Sequence, residues 1–141
     1  MQRVVENISE KTGLPPGSFV SVGVKEAIPS KFFIYNIGQE KVTVQETASI
    51  TESLLKHDDN TILWVDIQGF SDTNSIHTLF ETLNVDTLLQ EDIINTRHRP
   101  KIETFDDSLI IITKRIIPGH GKRMHAEHVA LILGPDYILS F

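Results

Sequence analysis

The spacing of apolar and polar positions changes several times along the chain, and each change predicts an element. Phe32 to Ile37 and Lys41 to Gln45 are short β-branched or aromatic runs separated by Gly38-Gln39-Glu40, a loop of hairpin length, and they predict two paired strands. Ser18 to Val22 predicts a further strand, reached through Gly13-Leu14-Pro15-Pro16-Gly17, where two prolines fix φ and Gly17 permits a positive one. Ile62 to Ile67 is apolar on both alternating sets, as expected of a strand covered on both faces and therefore central in a sheet.

Helical spacing occurs in three places. Ser49-Ile50-Thr51-Glu52 matches a capping box, and Ile50 with Leu54 adds a weak apolar face, so a helix is expected over 50–57. Ile76, Leu79, Phe80 and Leu83 fall at i, i+3, i+4 and i+7 behind Asp72, which can cap them. This is the strongest helical pattern in the chain. Asn84 can end that helix in the left-handed conformation, and Asp86 can cap a second one through Leu88, Leu89, Glu91, Asp92 and Ile93 to about Ile94.

Beyond Pro100, Lys101 to Phe105 and Ser108 to Ile117 flank the turn Asp106-Asp107, and Glu127 to Leu133 and Tyr137 to Phe141 flank Gly134-Pro135-Asp136, which predicts two more hairpins. Alternating strands and helices in the middle with hairpins at both ends argue for an α/β fold with a mixed sheet and helices packed on it. There is no internal repeat and no low-complexity tract.

Composition narrows the function. The 141 residues are 40% hydrophobic and contain no Cys, so one domain spanning 1–141 is expected, and thiolate metal sites, Cys nucleophiles and disulfides are excluded. A formal charge of −6 has the wrong sign for binding a phosphate backbone, so no nucleic-acid partner is expected. The longest apolar run, the five residues from Val129 to Leu133, is far too short to cross a bilayer. Because Phe141 ends an apolar strand without a polar tail, the chain reads as part of a longer protein.

The residues that carry chemistry are few. No G-x-G-x-x-G, P-loop, G-x-S-x-G or H-E-x-x-H is present, so an enzyme is not expected. His120, His125 and His128 form the densest group of metal-ligand types, competing with a solvated hairpin loop; in an extended strand His125 and His128 would face opposite sides. Arg97-His98-Arg99-Pro100-Lys101 can hold an anion, or can lie in solvent or pair with nearby carboxylates of its own chain. Just before it, Glu91 and Asp92 point about 100° apart on a helix, so they face different partners. A carboxylate arriving from a second subunit would be repelled by them until a hard cation such as Mg²⁺ stood between.

Several segments, taken in order, resemble the N-terminal cytosolic domain of the CorA family of magnesium and cobalt transporters. They are Gly13-Leu14-Pro15-Pro16-Gly17, Trp64-Val65-Asp66-Ile67-Gln68-Gly69, Leu89-Gln90-Glu91-Asp92-Ile93-Ile94-Asn95 leading into Arg99-Pro100-Lys101-Ile102-Glu103, the Ser108 to Ile117 strand, and Val129 to Phe141. The resemblance implies an α/β/α layered sandwich with a mixed sheet, and a homopentamer whose soluble domains form a funnel at the cytoplasmic face of the inner membrane. It implies inter-subunit Mg²⁺ sites that hold the pore closed when filled. On that implication Asp92 matches the principal regulatory carboxylate, Glu91 an adjacent second-site carboxylate, and Leu14 a position whose backbone carbonyl lies near that second site. The partner carboxylates belong to a neighbouring subunit's stalk helix.

The stalk helix, both transmembrane helices and the family's Gly-Met-Asn pore motif are not among these residues. The domain alone is therefore expected to be monomeric or weakly associated, to meet the membrane only through helices that follow it, and to bind Mg²⁺ weakly. The other functional readings are the cytosolic domain of a ZntB-like zinc transporter, which the histidines would serve, and a free-standing interaction module. Mg²⁺ is the expected cation, with Co²⁺ and Zn²⁺ as the alternatives.

Overall fold

The computed structural model describes residues 29–96, 98–119 and 124–141. Lys31–Ile37 (β1), Val42–Thr47 (β2), Ile62–Gln68 (β3), Lys101–Phe105 (β4), Ser108–Pro118 (β5), Met124–Leu133 (β6) and Tyr137–Ser140 (β7) form one sheet in the order β2-β1-β3-β7-β6-β5-β4. Thr73–Thr82 (α1) and Thr87–Ile94 (α2) intervene between β3 and β4. The α/β class and the mixed sheet are as expected: β3 pairs with β7 in parallel and every other neighbouring pair is antiparallel. The expected turn at Gly13 to Gly17 and strand at Ser18 to Val22 lie outside the described residues.

Strand alternation produces one continuous buried face. Phe32, Ile34, Leu63, Val65, Leu139, Ile132, Ala130, Ile110 and Ile112 are cross-strand neighbours on it, and all are buried. Ile76, Leu79 and Phe80 of α1 and Leu89, Ile93 and Ile94 of α2 join them in the core, so both described helices cover this face. On the other face Tyr35 stacks on Trp64 with ring centroids 4.7 Å apart. The Trp64 indole there donates to Ser140 Oγ at 3.0 Å, and the Ser140 hydroxyl donates to Asp66.

The helices around the site begin and end for local reasons. Asp72 accepts from the Ser75 backbone N–H, and Asp86 accepts from Leu88 N at 2.8 Å, each satisfying a donor that the first turn leaves orphaned. Asn84 takes φ 51°, and Val85 N donates to Phe80 O at 2.9 Å across it, closing α1 in a left-handed cap.

The helix expected over 50–57 is corrected to one 3-10 turn, Glu52–Leu55, and the capping box does not form. Ile50 N donates instead to Ser75 Oγ at 2.8 Å, and Ser75 Oγ donates to Asp72 Oδ2 at 2.5 Å. Buried Ile50 and Leu55 are pulled into the core from both sides of a short segment, and that anchoring outweighs a capping preference worth about 1 kcal/mol.

Candidate functional site

Carboxylates and cations meet where α2 runs into β4. α2 buries Leu89, Gln90, Ile93 and Ile94, which leaves Glu91 and Asp92 between them partly exposed. Asp92 lies on the last turn with its side chain one-fifth exposed, and Leu88, one turn earlier, is 60% exposed. Pro100 cannot continue a helix, and the chain passes into β4, which carries Lys101 and Glu103 on the same side of the strand.

Asp92 is held by its own chain. His98 Nε2 approaches Oδ1 at 2.8 Å, and the Lys101 ammonium donates to Oδ2 at 2.5 Å. The same ammonium donates to Glu103 Oε2 at 2.9 Å and so bridges two carboxylates. Burial opposes its charge, but the hydrogen bonds to Asp92 and Glu103 and their negative charges prevail and hold Lys101 above its ordinary value of 10.5. Glu91 is half-buried beside Asp92. The sequence pointed to basic residues near these carboxylates; the individual pairs were hidden because they depend on the path of the chain across Pro100.

Two of the three histidines can be placed, and they are not gathered. His125 and His128 both lie in β6, opposite Ile117 and Lys114 of β5, three residues apart and hence on opposite faces. His120 and Leu14 lie outside the described residues. No group of three or more His, Cys, Asp or Glu positioned to hold a metal ion occurs among the described residues.

His128 is instead bound up with α2. Its Nε2 lies 2.9 Å from Ile93 O, so Nε2 donates and Nδ1 is left as a buried acceptor without a partner. Burial pushes the imidazole below its ordinary 6.5; the bond to Ile93 opposes that, and nearby Lys114 and His98 add to it. Below pH 6.5 the unfolded chain therefore takes up a proton that the folded one resists, and stability falls as pH falls. Urea unfolding at pH 7.5 and 5.5 should show a larger acid loss in the wild type than in His128→Gln, and equal losses would contradict this assignment.

At the C-terminal end of α1, a cavity of about 490 Å³ is lined by Leu55, His57, Thr82, Asn84, Asp136 and Tyr137 among others. His57 Nε2 lies 3.2 Å from Asp136 Oδ2 there, and its Nδ1 lies 3.1 Å from Leu55 O. Both imidazole nitrogens thus face partners within the protein.

Comparison with known proteins gives one consistent picture. The family model described as CorA-like Mg²⁺ transporter protein matches residues 59–141. The cobalt/magnesium transport protein CorA of Thermotoga maritima is 30% identical over 139 aligned residues, which cover 96% of this chain and 39% of that protein. Among solved structures, the complete CorA magnesium transporter of Methanocaldococcus jannaschii superimposes with a TM-score of 0.56 at 12% identity, over 77% of this chain and 31% of that one. The soluble domain of the same organism's CorA gives 0.52 at 14% identity, over 76% of this chain and 39% of that one. These structural likenesses concern the fold alone. No helix among the described residues is long and apolar enough to cross a membrane.

Proposed function

The chain belongs to the CorA-like family of Mg²⁺ transporter proteins, and we propose that it is the cation-sensing cytosolic domain of a Mg²⁺/Co²⁺ transporter, regulating the pore through Asp92 and Glu91. It spans 39% of the length of its curated relative, so pore, stalk and partner carboxylates belong to the rest of such a protein.

The observation that carries this reading is the pair of adjacent, partly exposed carboxylates near the end of α2, one turn after exposed Leu88. Carboxylate oxygens are the donors that Mg²⁺ prefers, whereas zinc favours nitrogen and sulfur ligands. Asp92 and Glu91, about 100° apart, supply such oxygens from a single helix to two directions, which suits two half-sites completed by a second copy in a homopentamer. A divalent cation there would supply positive charge between carboxylates that otherwise repel. The role of Asp92 is then to make the closed arrangement the one with the higher cation affinity, stabilising it by RT ln(1 + [L]/Kd) per site.

The test is cation uptake by the complete transporter at the cytoplasmic face of the inner membrane, with internal Mg²⁺ varied. Wild type should close as internal Mg²⁺ rises, while Asp92→Asn should stay open to concentrations at least roughly tenfold higher, the effect of losing about 1.4 kcal/mol of coupling. Unchanged inhibition in Asp92→Asn would refute the assignment.

A further inference from the structure

We infer that Lys101 is a tethered competitor for Asp92: its ammonium occupies the carboxylate that senses the cation and so sets the concentration at which sensing begins. This rests on the reading of Asp92 as a sensing carboxylate.

Three features of the geometry support it. The Lys101 ammonium lies 2.5 Å from Asp92 Oδ2, the position a cation ligated by that oxygen would contest. It also has a second seat, Glu103 Oε2 at 2.9 Å, more exposed than Asp92, so it can leave Asp92 without losing every partner. Finally, the side chain is only 22% exposed and starts from a strand, which confines the ammonium near both carboxylates instead of letting it disperse into solvent. An ion pair confined in this way resists exchange more than a fully exposed one.

Sensing by Asp92 is therefore an exchange. Lys101 withdraws from Asp92, keeps its bond to Glu103, and frees Oδ2 for ligation. A lysine, with its flexible stem and point charge, suits this movement; an arginine fork would grip both carboxylate oxygens at once. The bridging ammonium also explains how acidic residues at positions 92 and 103 are tolerated so close together while no divalent cation is bound.

The experiment measures cation uptake by the complete transporter as internal Mg²⁺ and, separately, Co²⁺ is raised, and reads the midpoint of the inhibition. Lys101→Met removes the charge but keeps an unbranched stem, and it should lower that midpoint by about fivefold, the scale of a partly buried ion pair. Lys31→Met makes the same change in net charge beside Glu46, 3.3 Å from Lys31 and remote from α2, and should leave the midpoint unchanged. Lys101→Arg should raise the midpoint, and it carries the test if the Met variant does not fold.

Each other result is decisive. An unchanged or higher midpoint in Lys101→Met, an equal drop in Lys31→Met, or an unchanged or lower midpoint in Lys101→Arg overturns the competitor role. If Asp92→Asn still abolishes the response in those cases, the sensing assignment stands without it. Inhibition that survives Asp92→Asn, or no inhibition by either cation in any variant, overturns the assignment of Asp92 itself.

Discussion

Phe80→Ala is expected to destabilise the protein by about 3–5 kcal/mol, the usual cost of truncating a fully buried aromatic ring. Phe80 has no exposed surface and sits where three parts of the fold converge. It belongs to the apolar stripe of α1, its ring lies 5.8 Å from that of Phe141 just past β7, and its carbonyl accepts the Val85 N–H that closes the helix. Truncation leaves a cavity that the backbone cannot collapse to fill, because α1 is pinned at its start by the Asp72, Ser75 and Ile50 bonds and at its end by the Asn84 cap. Against a total stability of roughly 5–15 kcal/mol this is a large fraction. Urea unfolding at pH 7.5 measures it, and a loss below about 1 kcal/mol would mean that the α1 stripe does not anchor the core as described.

Gly134→Ala is expected to cost about 1–3 kcal/mol through overpacking rather than backbone conformation. A Cβ on Gly134 would stand 2.4 Å from both Cε1 and Cζ of the Tyr137 ring, far inside contact distance. Tyr137 is 7% exposed, packs in the core, and its carbonyl receives the Gly134 N–H at 2.8 Å, so ring and backbone cannot move apart independently. Gly38→Ala is the contrast. Its Cβ would come no nearer than 3.4 Å to Lys41 O, so that substitution should cost much less. Thermal unfolding of both variants checks the difference, and combining Gly134→Ala with Tyr137→Leu should recover part of the loss. Equal costs at the two glycines would refute the clash.

Much of the site's framework was legible because it is local. The Ile76, Leu79, Phe80 and Leu83 stripe, the caps at Asp72 and Asp86 and the left-handed Asn84 each depend on residues within one or two turns, and all four appear where the spacing placed them. The hairpin turns were readable for the same reason. Asp106 takes φ 47° between β4 and β5, and Gly38 N donates to Lys41 O at 2.9 Å between β1 and β2. The position of Glu91 and Asp92 near the end of a helix followed from the apolar residues on either side of them.

The tertiary structure decided what depends on distant parts of the chain. Residues 50–57 carry a sound capping pattern, yet Ile50 bonds to Ser75, twenty-five residues away, and a single 3-10 turn results. β7 lies between β3 and β6 because parallel pairing of Leu63 with Tyr137 and Val65 with Leu139 brings their apolar side chains onto one buried face, a long-range gain that no local pattern encodes. Asp92 shows the same division most clearly. Its place on α2 is local, but its grip by Lys101 and His98 exists only after Pro100 has turned the chain and β4 has docked beside β5. Local spacing determines which groups a segment can present, since it sets the face each side chain takes; what those groups touch is determined by burial summed over the whole sheet.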